Sequence, residues 1–130
     1  MRTITRMGIF EDVVKRAPKE VGDICLALRS LIAGLHPDAV EVPRPGEPSA
    51  AYGYGEKKMS EAYAYIMPQK TYANLGFYHG ASIASTDSLL EGTGKTLRHI
   101  KVRSVVMAQS DAIKAVLLAA MEERRTALGV

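Results

Sequence analysis

Residues 89–103 carry side chains and turn residues that together could bind an anion. Their sequence, LLEGTGKTLRHIKVR, places two glycines and a threonine directly before a lysine. Within residues 91–103 four cations stand against one carboxylate, a balance of +3 that equals the formal charge of the whole chain. A Gly-Thr-Gly-Lys turn can direct backbone N–H groups and an ammonium at an oxyanion. The predicted ligand-binding residues are Gly92, Thr93, Gly94, Lys95, Arg98 and His99.

The residue types of this loop predict the geometry of the anion site. Gly92 or Gly94 should adopt a positive φ angle, because glycine is used where a Cβ would clash. Lys95 and Arg98 should converge with the N–H groups of residues 93–95 on one oxyanion, either a ligand phosphate or the chain's own carboxylate at Glu91 or Asp87. A plain glycine turn leading into an exposed basic strand is the alternative that requires no ligand.

A nucleotide-binding P-loop is excluded by spacing. That motif needs a glycine five residues before Gly94, and the position is Leu89. A P-loop also lies between a hydrophobic strand and a helix, whereas the residues before this loop are polar and those after it are β-branched and alternating. The string GTGKT therefore does not indicate an NTPase.

Length and composition predict one cytoplasmic domain over residues 1–130. The chain is 47% hydrophobic and 24% charged, which is ordinary for a globular protein with a single core. Its single cysteine, Cys25, lies in an apolar helical pattern and cannot form an intramolecular disulfide, which favours a reducing compartment. The N-terminus lacks a signal-peptide pattern, and the apolar run 115–121 is too short to span a bilayer.

Three segments have the apolar period of helices. Residues 10–17 form a short amphipathic pattern that should stop near Pro18. Residues 21–35 form a longer one, begun with Pro18 in its first turn and closed by the breakers at 34–37. Near the C-terminus Ser110 is a natural N-cap for a helix with an apolar stripe over 113–121.

The middle of the chain alternates like strands. Val40 and Val42 begin an edge strand that prolines interrupt, residues 52–55 resume an extended stretch, and residues 61–67 and 71–79 form an antiparallel pair turning at 68–70. If residues 73, 75 and 77 face the core, residues 72, 74, 76 and 78 face outward, with Tyr63 and Tyr65 beside them as an exposed tyrosine face. In the last strand residues 100 and 102 face inward, and 99, 101 and 103 outward. The predicted fold class is α+β, a two-layer sandwich with an antiparallel sheet covered on one face by N- and C-terminal helices.

The chain resembles the bacterial YdhG-like domain of unknown function, which is grouped by fold with frataxin-like (CyaY-like) proteins. Four strings carry the resemblance, over about residues 10–121: LHPDA at 35–39 with Glu41, residues 48–54 ending in YGY, LGFYHGA at 75–81, and LLEGTGK at 89–95 with LRH at 97–99. Residues 43–45 depart from the family's more regular strand. The resemblance implies a frataxin-like α+β fold and, for some members, an iron-chaperone role.

We therefore expect a small binding or accessory domain with an anion-binding loop, and a frataxin-like intracellular iron chaperone as the alternative. Residues 8–41 have a charge balance of only −2, and the three histidines show no metal-ligand spacing. We therefore predict no metal-binding residues and no cofactor; iron would be bound only if the iron-chaperone alternative holds. No catalytic constellation is present; Glu91 with His99 and Lys95 is better explained as a structural ion pair. The expected partners are a small anion or a protein, including a second copy bound through the tyrosine face. The modest net charge and missing RNA-recognition signature argue against nucleic acid, and no membrane association is expected.

Overall fold

The computed structural model describes residues 1–83 and 89–130 and contains one sheet with helices before and after it. Asp87 and its neighbours at 84–88 lie outside the described residues. The helices are α1 (Phe10–Val14), α2 (Lys19–Leu35), α3 (Val105–Ala108) and α4 (Asp111–Leu128). The strands are β1 (Arg2–Thr3), β2 (Val40–Arg44), β3 (Ser49–Gly53), β4 (Ala62–Pro68), β5 (Ala73–Phe77) and β6 (Arg98–Val102).

The six described strands lie in the sheet in the same order as in the chain. Strands β2 to β6 form a continuous antiparallel meander, and β1 pairs in parallel with the start of β2. Helices α1, α2 and α4 contact one face of this sheet, which we call the helix face; the other is the outer face. The protein is therefore an α+β two-layer sandwich, as the sequence pattern predicts.

The helix face carries the main hydrophobic core. Leu75, Phe77, Ile100 and Val102 are at most 1% exposed and belong to one cluster with Leu28 of α2. Leu31 packs against the same cluster while remaining half-buried. The predicted inward face of β5 and β6 and the predicted helical face that covers it are both confirmed.

Glu41 lies on the helix face of β2, and it is fully buried. Its carboxylate accepts hydrogen bonds from Nε and Nη2 of Arg29 (2.6 and 2.9 Å), from the Tyr52 hydroxyl (2.7 Å) and from the Thr3 hydroxyl (2.9 Å). Val40 and Val42 consequently face outward, where they join a second, smaller cluster. Alternation alone identified this strand but did not reveal that its charged residue faces inward.

Tyr63 does not lie on the outer face, so this part of the predicted tyrosine face is wrong. The pairing of β3 with β4 shifts register, with Tyr52 opposite Ala64 and Gly53 opposite Ala62. Tyr63 is the extra residue of this bulge, and the shift turns its side chain to the helix face, where it is 1% exposed. A bulge of one residue cannot be detected from a period-two pattern.

The tyrosines that do lie on the outer face pack onto the sheet instead of standing exposed. Tyr78 is 5% exposed and lies in the second cluster, whose other buried members are Val40, Val42, Ala51 and Ala62. The ring of Tyr65 covers Gly76, where an added Cβ would come within 2.0 Å of ring carbons. Small residues beneath these rings thus let the outer face bury its own aromatic surface.

Several local predictions need small corrections. Strand β2 continues through Pro43 to Arg44. Strand β1 pairs with β2 only at Val40 and Glu41, so at Pro43 one edge of β2 has no partner strand, and a residue without an N–H group is tolerated there. Pro18 stands at the N-cap of α2 rather than in its first turn. Strand β1 and helix α3 have too few residues to show a period, and the sequence pattern missed both.

Replacing Leu28 by Ala should lower the free energy of unfolding by about 2–5 kcal/mol, the usual cost of truncating a buried leucine. The side chain is fully buried between α2 and the sheet. Urea denaturation followed by circular dichroism measures the effect. Leu26→Ala, on the exposed side of the same helix, is the matched control and should cost far less.

Replacing Glu41 by Gln should remove part of the protein's acid sensitivity. Burial alone would raise the pKa of Glu41, but the hydrogen bonds from Arg29, Tyr52 and Thr3 outweigh burial and hold that pKa below its usual value. The stabilisation from Glu41 is therefore present above the unfolded-state value near 4.5 and is lost as pH falls through the lower folded-state pKa. We expect the variant to be less stable by about 1–3 kcal/mol at pH 7, and by less at pH 3, because the amide weakens the hydrogen bonds that the carboxylate accepts.

Urea titrations of both proteins between pH 7 and pH 3 test this. An equal difference in stability at both ends of the range would contradict it.

Candidate functional site

The Gly-Thr-Gly-Lys loop precedes β6 and is exposed from Glu91 through Lys95. Gly92 has a φ angle of 125°, which residues with a Cβ rarely adopt, whereas Gly94 has no positive φ. The N–H group of Ala81 donates to the carbonyl of Thr96 at 2.9 Å and ties the loop to the 3₁₀ turn Gly80–Ser82. The predicted positive φ is confirmed at Gly92.

Arg98 braces this loop from within. Its Nη1 donates to the carbonyl oxygens of Gly94 at 2.6 Å and Leu97 at 2.7 Å. Gly80 permits this placement, because a Cβ there would lie 2.4 Å from the Cβ of Arg98. Nη1 of Arg98 is thus engaged by the carbonyls of the loop itself, and the convergence of Lys95 and Arg98 on one oxyanion stays a prediction.

Glu91 is not the internal carboxylate of the loop. Its backbone forms an isolated bridge with His99, with hydrogen bonds of 2.8 and 2.9 Å. Its carboxylate lies 3.8 Å from Nζ of Lys101, a loose and half-exposed ion pair, so the proposed pairing of Glu91 with Lys95 or Arg98 is wrong. The other predicted carboxylate, Asp87, lies outside the described residues.

The outward side chains of β6 form a basic and aromatic cluster with Tyr72. Nζ of Lys101 lies 5.7 Å and the guanidinium carbon of Arg103 lies 5.1 Å from the centre of the Tyr72 ring. Both distances fit cation–π contacts. Because Ile100 and Val102 face the core, Lys101 and His99 share the outer face as predicted. This arrangement concentrates positive charge on the outer face at the end of the sheet that carries Arg103.

Two buried polar atoms without a hydrogen-bond partner lie on the same outer face. They are Oδ1 of Asn74 and Nη1 of Arg44. Asn74 is the cross-strand neighbour of Lys101, and Arg44 lies on β2 opposite Ser49. Buried polar groups are nearly always paired, so both atoms call for an explanation by a bound group or solvent. Sequence reasoning placed Asn74 on this face but gave no reason to select it, because an unpaired atom is a property of packing alone.

Each of the three histidines makes a different contact. Nδ1 of His36 lies 2.8 Å from the Tyr63 hydroxyl, and burial lowers the pKa of His36. Nε2 of His79 bonds the carbonyl of Met59, and His99 forms the backbone bridge to Glu91. In residues 1–83 and 89–130 no group of three or more His, Cys, Asp or Glu side chains could hold one metal ion. Cys25 is fully buried, and its burial raises the pKa of the thiol to about 12.

Within the part of the chain that the structure describes, no helix combines the length and apolar character needed to cross a membrane. Comparisons with protein-family models, with curated proteins and with solved structures found no match. The resemblance to YdhG-like and frataxin-like domains therefore stays a prediction.

The two loop glycines form a matched pair for a stability test. Gly92→Ala should lower the free energy of unfolding by about 1–3 kcal/mol, because alanine is strained at the φ angle of Gly92. Gly94→Ala should change it by less than about 0.5 kcal/mol or stabilise the protein slightly, since φ is not positive and the nearest atom to an added Cβ is 3.8 Å away. Thermal and urea unfolding measure both values. Equal effects of the two substitutions would contradict the role given to Gly92.

Proposed function

We propose that this protein is a non-catalytic, intracellular binding domain for a small anionic ligand, held on the outer face at β5 and β6. The observation that carries the proposal is the unpaired, buried Oδ1 of Asn74 directly beside Lys101. A ligand would satisfy Lys101 by its negative charge, and a hydrogen-bond donor on the ligand would pair with the Asn74 amide oxygen once that shielded side chain turns outward.

The cations next to this amide support an anion rather than a neutral ligand. Lys101 and Arg103 both contact the Tyr72 ring, and Glu91 neutralises Lys101 only through a half-exposed contact of 3.8 Å. Exposed ion pairs of this kind contribute little, so a ligand phosphate can replace Glu91 at small cost. The Tyr72 ring also gives a planar ligand a surface to stack on.

The Gly-Thr-Gly-Lys loop contributes the edge of the proposed site. Residues 92–95 are exposed, and the Lys95 ammonium has no ion-pair partner among the described residues. Arg98 holds the loop in shape through the carbonyls of Gly94 and Leu97. In this proposal Lys95 and the loop N–H groups assist binding, His99 lies on the adjoining outer face, and Arg98 acts by positioning the loop.

The alternatives draw less support from the same surface. A homodimer through the tyrosine face would need exposed aromatic area, but Tyr65 and Tyr78 pack on the sheet's own small residues. An iron chaperone would need carboxylates gathered in one place, and no described geometry favours one. The intracellular assignment rests on the single reduced and buried cysteine.

Phosphate binding tests the proposal directly. At constant ionic strength, inorganic phosphate should raise the melting temperature of the protein and shift the amide signals of β6 in NMR spectra. The Lys101→Gln, Arg103→Gln double variant should weaken binding at least tenfold, and Lys95→Ala a few-fold. Lys114→Gln, an exposed lysine on α4, is the matched control and should bind phosphate as the unaltered protein does.

Asn74→Leu separates a binding role from a structural one. It should keep or raise the ligand-free melting temperature, because it removes an unpaired buried polar atom, while it weakens the binding of a phosphate ester that carries a donor, such as O-phosphoserine. Unchanged phosphate affinity in the double variant would refute the proposed site. A large loss of stability in Asn74→Leu would show that the amide of Asn74 stabilises the fold and does not serve binding.

A further inference from the structure

A cleft of about 660 Å³ opens at the end of the sheet where β2 turns into β3 and β4 turns into β5. Three separate segments form it: the junction of α1 and α2, the tip of the β2–β3 hairpin, and the turn between β4 and β5. Its volume lies within the range of small-molecule binding sites. The anion-binding proposal for the outer face does not use any of these residues.

The walls of the cleft are held rigidly before any ligand arrives. Pro18, Pro45, Pro48 and Pro68 all line it, and each proline fixes its own φ angle. The β4–β5 turn is closed by a hydrogen bond of 2.9 Å from the N–H group of Gln69 to the carbonyl of Tyr72. A preformed cleft avoids most of the entropy cost of ordering a site on binding.

Gly8 fastens the N-terminal segment against the hairpin tip. Its φ angle is 143°, and an added Cβ would lie 2.7 Å from Cγ of Pro45 and 3.0 Å from Oδ2 of Asp12. That same Asp12 oxygen accepts the N–H group of Ile9 at 3.1 Å. The one carboxylate in the lining is therefore already engaged in capping α1.

The charges around the cleft are unbalanced. Lys15, Arg16 and Lys70 line it, and none of their side chains forms a hydrogen bond or ion pair with another described residue. Between them the lining is largely apolar, with Val13 and Ala17 beside the prolines. The positive charge of the cleft thus favours an anionic ligand, and its apolar lining favours an anion that carries a hydrophobic body.

We infer that this cleft is a second binding site, which takes a small organic anion with an apolar or aromatic body. The three unpaired cations hold the anionic group at the rim, and the proline-lined wall buries the body. Both parts of the ligand contribute to binding. An inorganic anion alone would leave the apolar wall exposed to water, and a neutral apolar compound would leave the cations without a counter-charge. The cleft shares no residue with the proposed phosphate site on the outer face.

The fluorescent probe 1-anilinonaphthalene-8-sulfonate has this chemistry, because it joins a sulfonate to an aromatic body. Titrated into the folded full chain, it should show saturable fluorescence enhancement with a stoichiometry of one. A Lys15→Gln, Arg16→Gln, Lys70→Gln triple variant should weaken its binding at least tenfold. All three side chains are exposed, so this variant should keep the melting temperature of the unaltered protein.

A blocking variant tests the cleft without altering charge. Gly46 lines the cleft, its φ is not positive, and an added Cβ there would meet no atom within 4 Å, so Gly46→Phe should fold and occlude the site. Lys114→Gln on α4 is the matched control and should bind the probe normally. The Lys101→Gln, Arg103→Gln variant should also bind it normally, which keeps this test separate from that of the outer face.

Loss of probe binding in both the triple and the blocking variant, with all controls retained, supports the site. Binding that is unsaturable, or that survives both variants, overturns it. Binding that is lost in the outer-face double variant overturns it equally, because the probe would then occupy the other site.

Discussion

The buried carboxylate of Glu41 is the interaction on which the arrangement of layers depends. It joins four elements, since Arg29 comes from α2, Tyr52 from β3 and Thr3 from β1, while Glu41 itself belongs to β2. A buried charge is costly unless it is fully hydrogen-bonded, and here four donors reach the two carboxylate oxygens. Arg29 also lies over the Phe10 ring at 4.9 Å, which brings α1 into the same network. One side chain thus sets where the helices meet the sheet.

This network also explains why the two faces of the sheet differ. With Glu41 turned inward, the valines on either side of it must face outward, and they become the base of the second cluster. The outer face is then covered by small residues and flat tyrosine rings rather than by helices. Polar groups from β2, β5 and β6 remain along it, and they include both unpaired buried atoms.

The sequence predicted what depends on periodicity and missed what depends on contacts between distant residues. The stripe on α2 and the alternation at residues 73–77 and 100–102 correctly identified the core and the α+β class. The bulge that turns Tyr63 inward depends on how β3 pairs with β4, which no local pattern records. Arg98 is predicted to bind a ligand because its charge stands near two glycines, but only the folded loop reveals that its Nη1 also donates to two loop carbonyls. The unpaired amide of Asn74, which supports the proposed function, and the proline-lined cleft, which forms the second proposed site, both depend on burial and on the meeting of segments far apart in the chain.

The Tyr65 ring over Gly76 has a consequence for how other molecules approach the protein. A ring lying flat on a glycine leaves no pocket beneath it, so the centre of the outer face is closed to side chains that would insert from above. A partner that approaches this face meets the faces of tyrosine rings together with the charged ends of Lys101 and Arg103. The outer face should therefore bind molecules that are recognised by charge and by hydrogen bonds. The same closed surface should disfavour packing of one sheet on another, which leads proteins to aggregate.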